Sequence, residues 1–359
     1  MTETVARIPR NLEEITPDWL NHHVFPDHRE NPVTDLSHDP IGDERGFLSQ
    51  TLRVETVRPE PSQHLPESFV VKIRPDNEQS REAEASINGF VREVRFYCDI
   101  AGDTDTRLTK VYFADADPDS AALVMEDLSH FKGGDQLVGL SHEQVRRVIE
   151  AVAPIHAAFW NSPRLNDFTW APTVDHFNLD SFADAWPEFV DTYGLRIGPQ
   201  GREIGDYLAK HIDQLEARVA SRPRSIVHGD LRADNILFGE GENTGDVIVL
   251  DWQLIMRNMA ALDLARLYGG SEPIMERASR HRETVALWHD ALMRSGVRDY
   301  SEADAWADFQ LAMLHCTSIP VKVHALFSKT PFKRGAQLRD AMAERFFSCA
   351  AEVDALASL

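Results

Sequence analysis

Lysine is scarce in this chain: of 359 residues only 7 are lysine, against 30 arginines, and Lys72 is the sole lysine among the first 109 positions. Cysteine is scarcer still. Cys98, Cys316 and Cys349 are odd in number and widely spaced, which argues against both a disulfide framework and a thiolate metal site. No apolar run approaches the length needed to cross a bilayer, and Met1 to Arg10 carries Glu3, Arg7 and Arg10 rather than the hydrophobic stretch of a secretory signal. The expectation is a cytoplasmic protein with no membrane association. Positive charge is short as well: 37 basic against 58 acidic residues leave a net charge of −21, which repels nucleic acid and anionic lipid surfaces, so no nucleic-acid partner is expected. The patterns G-x-x-x-x-G-K-[ST], G-x-S-x-G, H-E-x-x-H and C-x-x-C are all missing. His22-His23 and His315-Cys316 are adjacent pairs, a spacing that suits packing better than zinc.

What is present reads as a globular chain of 43% hydrophobic and 26% charged residues, long enough for two lobes with a cleft between them. Asn11 to Leu20 reads as a short lead-in helix with a polar segment following to Pro40. Phe47 to Val57 reads as a strand or hairpin arm, Pro59, Pro61 and Pro66 break it, and Phe69-Val70-Val71-Lys72-Ile73 is a short β-branched strand. Arg81 to Ile100 repeats Ile87, Phe90, Val91, Val94 and Tyr97 at helical steps. Val111 to Ala114 and Ala121 to Met125 are strands around the turn at Asp117-Pro118-Asp119-Ser120. These make a small mixed antiparallel sheet with one helix. Past residue 130 the pattern turns helical over Ser141–Trp160, Phe182–Tyr193, Arg202–Ala220, Glu276–Ser295, Ala303–Phe327 and Gln337–Leu356. One strand-rich island, Ser225 to Trp252, interrupts it. The expected organisation is a lead-in over 1–40, a first lobe over 41–129 and a second over 130–359, in the α+β class.

The island carries the chemistry. Ile226-Val227-His228-Gly229-Asp230-Leu231-Arg232-Ala233-Asp234-Asn235-Ile236-Leu237-Phe238 is an apolar strand, then H-G-D-x-x-x-x-N, then a second strand. Val247 to Leu250 adds a third, ending at Asp251. His228-Gly229-Asp230 alone would be read as a tight turn with an Asp cap. Asn235 at its spacing and Asp251 after a further strand add an amide and a second carboxylate, a set suited to phosphoryl transfer. In that chemistry Asp230 takes the proton of an acceptor hydroxyl, and Asn235 and Asp251 hold Mg²⁺ on the nucleotide phosphates. Arg232 offsets the charge of the transferring group, and His228 buttresses the loop.

On these motifs the chain resembles the aminoglycoside phosphotransferase and choline kinase superfamily, with H-G-D in place of the H-R-D of protein kinases and Leu250-Asp251-Trp252-Gln253 in place of D-F-G. His156-Ala157-Ala158-Phe159-Trp160 and Asp251-Trp252-Gln253 bring it nearest the ecdysteroid-kinase-like branch and its bacterial relatives, over roughly residues 40 to 330. The resemblance implies a protein-kinase-like bilobal fold, ATP and Mg²⁺ as cofactors, and a small-molecule alcohol as acceptor. It also implies that Lys72 binds phosphate, which agrees with a solitary lysine in an apolar strand, where a cation needs an anionic partner. Glu93 matches the helical glutamate that holds such a lysine, with Glu82 and Glu84 as alternatives. Gly42 and Gly46, in Ile41 to Ser49, match the position of the glycine loop, where a plain β-turn is the rival reading. Leu123 to Leu128 resembles the hinge that binds adenine, through the Glu126 carbonyl and the Leu128 amide, with Met125 beside it.

Trp252, Gln253 and the residues around Tyr268 and His315 to His324 are expected to shape the acceptor site. Three acceptor classes compete: a cationic aminosugar or choline-like compound, a steroid- or polyketide-like alcohol, and a hydroxyacyl metabolite. Trp160, Trp252 and the nearer match to the ecdysteroid-kinase-like branch tilt the expectation toward a bulky, partly apolar alcohol, and the acidic surface tilts it less strongly toward the cationic class. The rivals from other classes are a non-catalytic kinase-fold binding protein and a protein kinase, the second disfavoured by H-G-D and by the missing A-P-E segment. Monomer and homodimer both fit the sequence.

Overall fold

The β-branched run Ser68–Ile73 is the middle strand of a five-stranded sheet in the computed structural model, which describes residues 7–41, 50–62, 64–75, 78–117, 120–173, 182–328 and 334–359. By contacts the chain divides into two units. The first comprises Met1–Asp103, Leu108–Phe131 and Asp251–Gln253; the second comprises Thr104–Arg107, Lys132–Leu250 and Leu254–Leu359.

The first unit holds a single helical turn α1 (Pro17–Trp19), strands β1 (Asp35–Pro40), β2 (Gln50–Val57) and β3 (Ser68–Ile73), helices α2 (Glu78–Ile87) and α3 (Gly89–Asp99), and strands β4 (Val111–Ala116) and β5 (Ala121–Glu126). The sheet order is β1-β2-β3-β5-β4, and every pairing is antiparallel. The helical crossover from β3 to β4 would set those two strands parallel, but β5 inserts between them and runs against both. Strand alternation sorts the side chains. Phe69, Val71 and Ile73 of β3 and Ala122 and Val124 of β5 join Trp19, Leu20, Val24 and Phe25 of the amino-terminal segment in one core. Ala121, Leu123 and Met125 join Phe90 and Val94 of α3 in another. Lys72 lies between Val71 and Ile73 and so projects to the α3 side.

The single helix expected over Arg81–Ile100 is two. Asn88 adopts φ 51, a left-handed conformation that asparagine tolerates better than most residues, and the Glu84 carboxylate accepts the Phe90 N–H at 3.1 Å where α3 begins. Strand β1 falls in the stretch read as a polar lead-in. It pairs Asp35 with Val57 through Pro40 with Leu52 and is exposed along nearly its whole length, so no apolar alternation marks it.

The second unit holds β6 (Lys132–Gly133), α4 (His142–Ala158), α5 (Phe182–Ala220), β7 (Arg224–Val227), β8 (Ile236–Phe238), β9 (Val247–Val249), β10 (Met256–Met259), α6 (Ala261–Ser271), α7 (Ile274–Arg277), α8 (His281–Arg294), α9 (Glu302–Cys316), α10 (Ser318–Phe327) and α11 (Gly335–Glu352). β6, β8 and β9 form one small sheet and β7 pairs with β10 in another. Ser141 opens α4 with a capping box to Gln144, as Ser301 opens α9 with Asp304. The helix α5 is interrupted at Gly198, φ 69, just before Pro199, so it approximates the two expected segments. Helix α6 was not expected. All its residues from Ala261 to Ser271 are buried, Asp263 and Arg266 included, so it has no solvent face to set up an amphipathic period. No helix among the described residues is long and apolar enough to cross a membrane.

His324 on α10 makes T-shaped contacts with Phe189 and Tyr193 of α5, and neither ring nitrogen has a hydrogen-bond partner among the described residues. Burial lowers its pKa from 6.5, the nearby Glu188 carboxylate opposes that, and Arg339 reinforces it. A base whose folded pKa is depressed takes up protons more readily in the unfolded chain, so stability falls as the pH drops below the unfolded value. Melting temperatures measured from pH 7.5 down to 5.5, about one pH unit either side of the unperturbed imidazole value, should therefore decline, and His324→Phe should flatten that decline. An unchanged pH slope in the variant would refute this role for His324.

Candidate active site

Lys72 is 7% exposed, and strand β3 delivers its ammonium to two carboxylates. Nζ donates to Glu93 Oε2 at 2.5 Å and to Asp251 Oδ1 at 3.2 Å, and it lies 5.9 Å from the centre of the Phe90 ring. Glu93 is 1% exposed on α3 and is also hydrogen-bonded by the Gln253 side chain. Burial works against the charge on Lys72, but the charges of Asp251 and Glu93 and the bonds to them outweigh it, and its pKa is raised. Burial raises Glu93 too, against the pull of Lys72. One ammonium facing two carboxylates stays protonated, so Lys72 is the firmly charged member of this set. An unpaired cation at this depth would be strongly destabilising, which explains why the buried ammonium is met by carboxylates, Glu93 nearest.

The second carboxylate arrives by an unusual backbone. Asp251 adopts φ 66, and its side chain is 41% exposed while its neighbours are not. Trp252, 1% exposed, stacks on Phe96 with ring centres 3.8 Å apart and planes 9° from parallel. A Cβ on Gly89 would stand only 3.3 Å from the Gln253 Cβ, so this glycine admits the segment to the start of α3. Asp251–Gln253 is thus held against α3 by a ring stack, by the Gln253–Glu93 bond and by close backbone packing.

The second unit contains the H-G-D-x-x-x-x-N loop, running from β7 through a 3₁₀ turn at Ala233–Asn235 into β8. Asn235 Nδ2 donates to the Asp230 main-chain carbonyl at 2.9 Å and to Asp230 Oδ2 at 3.2 Å. Two acceptors around Nδ2 fix the amide's orientation and leave Oδ1 as the atom offered to a cation. Arg232 bridges two carboxylates, with Nε to Asp230 Oδ2 at 3.0 Å and Nη1 to Asp234 Oδ2 at 2.8 Å. His228 Nδ1 accepts the Asp230 N–H at 3.1 Å, so Nε2 carries the ring proton and donates to the Leu250 carbonyl at 2.9 Å. With both nitrogens engaged by backbone, His228 is placed to hold the loop and not to abstract a proton.

Three residues that sequence reasoning missed anchor this loop. Asp263, 1% exposed on α6, accepts the His228 N–H at 2.7 Å, the Gly229 N–H at 3.0 Å and His156 Nε2 at 3.1 Å. Burial opposes its charge, but the bonds from His156 and from the His228 amide hold its carboxyl below the usual carboxylate range. Gln136 Oε1 accepts the Ala233 N–H at 2.9 Å. Arg266 Nη1 donates to the Gly229 carbonyl. His156 lies in a motif visible in the sequence, but the other partners are separated from the loop by long stretches of chain, and no local spacing marks them.

Gly229 sits at φ 81, and a Cβ there would meet the Leu254 carbonyl at 2.0 Å. The substitution Gly229→Ala is expected to cost about 2 kcal/mol or more from the left-handed backbone and the clash together. It should also displace Asp230, so activity should fall further than the loss of folded protein explains. Thermal melting alongside turnover per folded molecule checks this, and a variant with wild-type melting and turnover would refute it.

Of the remaining expected residues, Gly42 and Gly46 lie outside the described residues. Glu126 ends β5 with its side chain accepting the Lys110 N–H at 2.6 Å. Leu128 is buried at 7% and accepts the Phe131 N–H at 2.9 Å. Between them Asp127 accepts from Ser68 and Ser129 and pairs with Arg53, which fixes the turn. Glu84 pairs with Arg74 and caps α3, away from Lys72, and Glu82 is exposed. The residues expected to shape the acceptor site are largely core: Trp252 and Gln253 pack on α3, Tyr268 is fully buried against His281 and the Arg277 carbonyl, and His315 and His324 are 4% and 5% exposed. Oxygen ligands of the kind that hold Mg²⁺ are present in Asp251 and Asn235. The side chains of His281, Cys349 and Glu352 also come within 4.8 Å of one another. There burial pushes the Cys349 thiol up to about 12 and the buried guanidinium of Arg277 occupies Glu352, which disfavours a dication.

Comparison with known proteins adds an independent finding. A family model described as the ecdysteroid kinase-like family matches residues 43–295. No curated protein matches. Among solved structures, the GDP and kanamycin complex of APH(2'')-IIIa is 14% identical, with 94% of this chain and 97% of that one covered at a TM-score of 0.51. The GDP complex of a mutant aminoglycoside 2'-phosphotransferase-IIIa is likewise 14% identical, covering 92% and 94% at 0.51. An ethanolamine kinase of Plasmodium vivax is 14% identical over 97% of this chain and 91% of its own, at 0.49. At such identities the first two speak for the fold, which is kinase-like.

Proposed function

Belonging to the ecdysteroid kinase-like family, the chain is a small-molecule phosphotransferase, and we propose that it moves the γ-phosphoryl of ATP to a hydroxyl of a small organic acceptor. The observation that carries the residue assignment is Lys72, buried and held between Glu93 and Asp251. A lysine arranged this way is a preformed phosphate site, because its charge is fixed by Glu93 while Asp251 keeps an exposed carboxylate for a cation. Mg²⁺, bound by Asp251 and by Asn235 Oδ1, would neutralise the nucleotide phosphates. Asp230 takes the acceptor's proton as the acceptor oxygen bonds to the γ-phosphorus and the bond from that phosphorus to the β,γ-bridging oxygen breaks, releasing ADP. Arg232, on Asp230 and Asp234, sets positive charge beside the reacting group, and the Glu126 carbonyl with the Leu128 amide receives the adenine. Gly42 and Gly46 are proposed to bring backbone N–H groups to the phosphates.

The acceptor proposed is a bulky, partly apolar alcohol. Support for this rests on family membership, since Trp252 stacks on Phe96 and Trp160 packs against Tyr300 with ring centres 4.7 Å apart. An ADP-release screen over sterols, polyketide alcohols, aminosugars and choline-like compounds, with the product identified by mass, tests both levels of the proposal. Turnover of an aminosugar and of no apolar alcohol would overturn the acceptor class. Tight Mg–ATP binding with no turnover of any panel member would favour a binding protein instead.

A further inference from the structure

The main chain of Gly229 is gripped on both sides by a single helix. Asp263 and Arg266 stand three residues apart on α6, hence on the same face. Asp263 Oδ1 accepts the Gly229 N–H at 3.0 Å, and Arg266 Nη1 donates to the carbonyl of the same residue. Arg266 is a buried arginine, 3% exposed, and Nη1 also lies 3.9 Å from Asp230 Oδ1. The two oxygens of the Asp230 carboxylate therefore face different guanidinium groups: Oδ2 receives Arg232 Nε at 3.0 Å, and Oδ1 faces Arg266. Arg232 is about a third exposed, whereas Arg266 is held in the core.

We propose that Arg266 is a positioning residue for phosphoryl transfer, fixing the peptide before Asp230 and aiming Oδ1 so that the carboxylate meets the acceptor hydroxyl in one orientation. This rests on the reading of Asp230 as the group that takes the acceptor's proton. The guanidinium suits the task because it is planar and carries several donors in fixed directions, so one group can serve a carbonyl and a carboxylate at once. A lysine is shorter and presents a single point of charge. A displacement of roughly 1 Å at a reacting group is enough to cost about 10²-fold in rate.

The test uses the full-length protein with whichever acceptor the screen identifies. Arg266→Met should lower kcat about 10²-fold with KM for Mg–ATP little changed, and Arg266→Lys should fall between that variant and wild type. Arg266→Ala should regain at least about tenfold of its lost turnover in millimolar methylguanidine, a response that loss of packing alone does not give. Wild-type kcat in a folded Arg266→Met protein would overturn the proposal, as would a folded Arg266→Ala protein that methylguanidine fails to rescue. If the Met variant does not fold, the Lys variant decides: wild-type kinetics there overturn the assignment, and reduced kcat at constant KM supports it. Asp230→Ala run in parallel separates the two levels. An active Asp230→Ala enzyme brings down the catalytic reading and this proposal together, whereas an inactive one beside a fully active Arg266→Met enzyme brings down this proposal alone.

Discussion

Asp230→Ala is expected to lower kcat by about 10³- to 10⁴-fold, the upper part of the range for removing a positioned proton acceptor, while the affinity for Mg–ATP stays within a few-fold of wild type. The split follows from the geometry. Asp230 is tied to Arg232, Asn235 and the His228 ring through bonds within its own loop, whereas Lys72 has Glu93 and Asp251 as its partners. Removing Asp230 thus leaves the ammonium and its two carboxylates intact. The loop should keep its path, because the amides of His228 and Gly229 are held by Asp263 and the Asp230 main-chain carbonyl by Asn235. Asp230→Asn is the sharper companion: it preserves shape and removes the proton-accepting charge, so a similar loss there assigns the effect to chemistry. Single-turnover kinetics with equilibrium nucleotide binding make the measurement. A variant that turns over near the wild-type rate would remove Asp230 from the mechanism.

The parts of this arrangement that were legible in the sequence share one property: they are local. His228, Asp230 and Asn235 lie within eight residues, and their spacing alone implies a loop between strands that turns an amide onto a carboxylate. Lys72 and Glu93 were legible through the family resemblance, and for Lys72 scarcity added support, since a lone lysine in an apolar strand requires an anion. What the sequence hid is either nonlocal or without pattern. Asp263 and Arg266 lie more than thirty residues beyond the Gly229 peptide they hold, on a helix buried on every side, where their charges mark no solvent face and give no amphipathic period. The break at Asn88 was invisible because Ile87, Phe90 and Val94 keep helical steps across it. Strand β1 was missed for the opposite reason: an exposed edge strand is paired through its backbone, so its side chains carry no message. Trp252 was misjudged as an acceptor contact because an aromatic side chain reads alike in a pocket and in a core, and only the stack on Phe96 tells them apart.

Asp251→Asn should abolish most of the Mg²⁺-dependent gain in nucleotide affinity and lower turnover about 10³-fold, the loss associated with removing a principal group that stabilises transition-state charge. Asparagine is the informative substitution because the residue adopts φ 66, a left-handed conformation that asparagine, like aspartate, accepts. The backbone can then stay in place, Trp252 can remain on Phe96 and Gln253 on Glu93, and the change is confined to the carboxylate. Asp251→Ala removes the same charge and adds a left-handed alanine at about 1–2 kcal/mol, so it should melt earlier than the Asn variant while binding nucleotide no better. Both variants deprive Lys72 of one of its two carboxylates, but Glu93 at 2.5 Å remains, so the lysine keeps its charge and Mg²⁺-independent nucleotide binding should survive. Titration of ATP with and without Mg²⁺, against each variant, separates these effects. Undiminished Mg²⁺ dependence in Asp251→Asn would mean that the cation is held elsewhere, and equal melting of the two variants would mean that the positive φ at this position carries no strain.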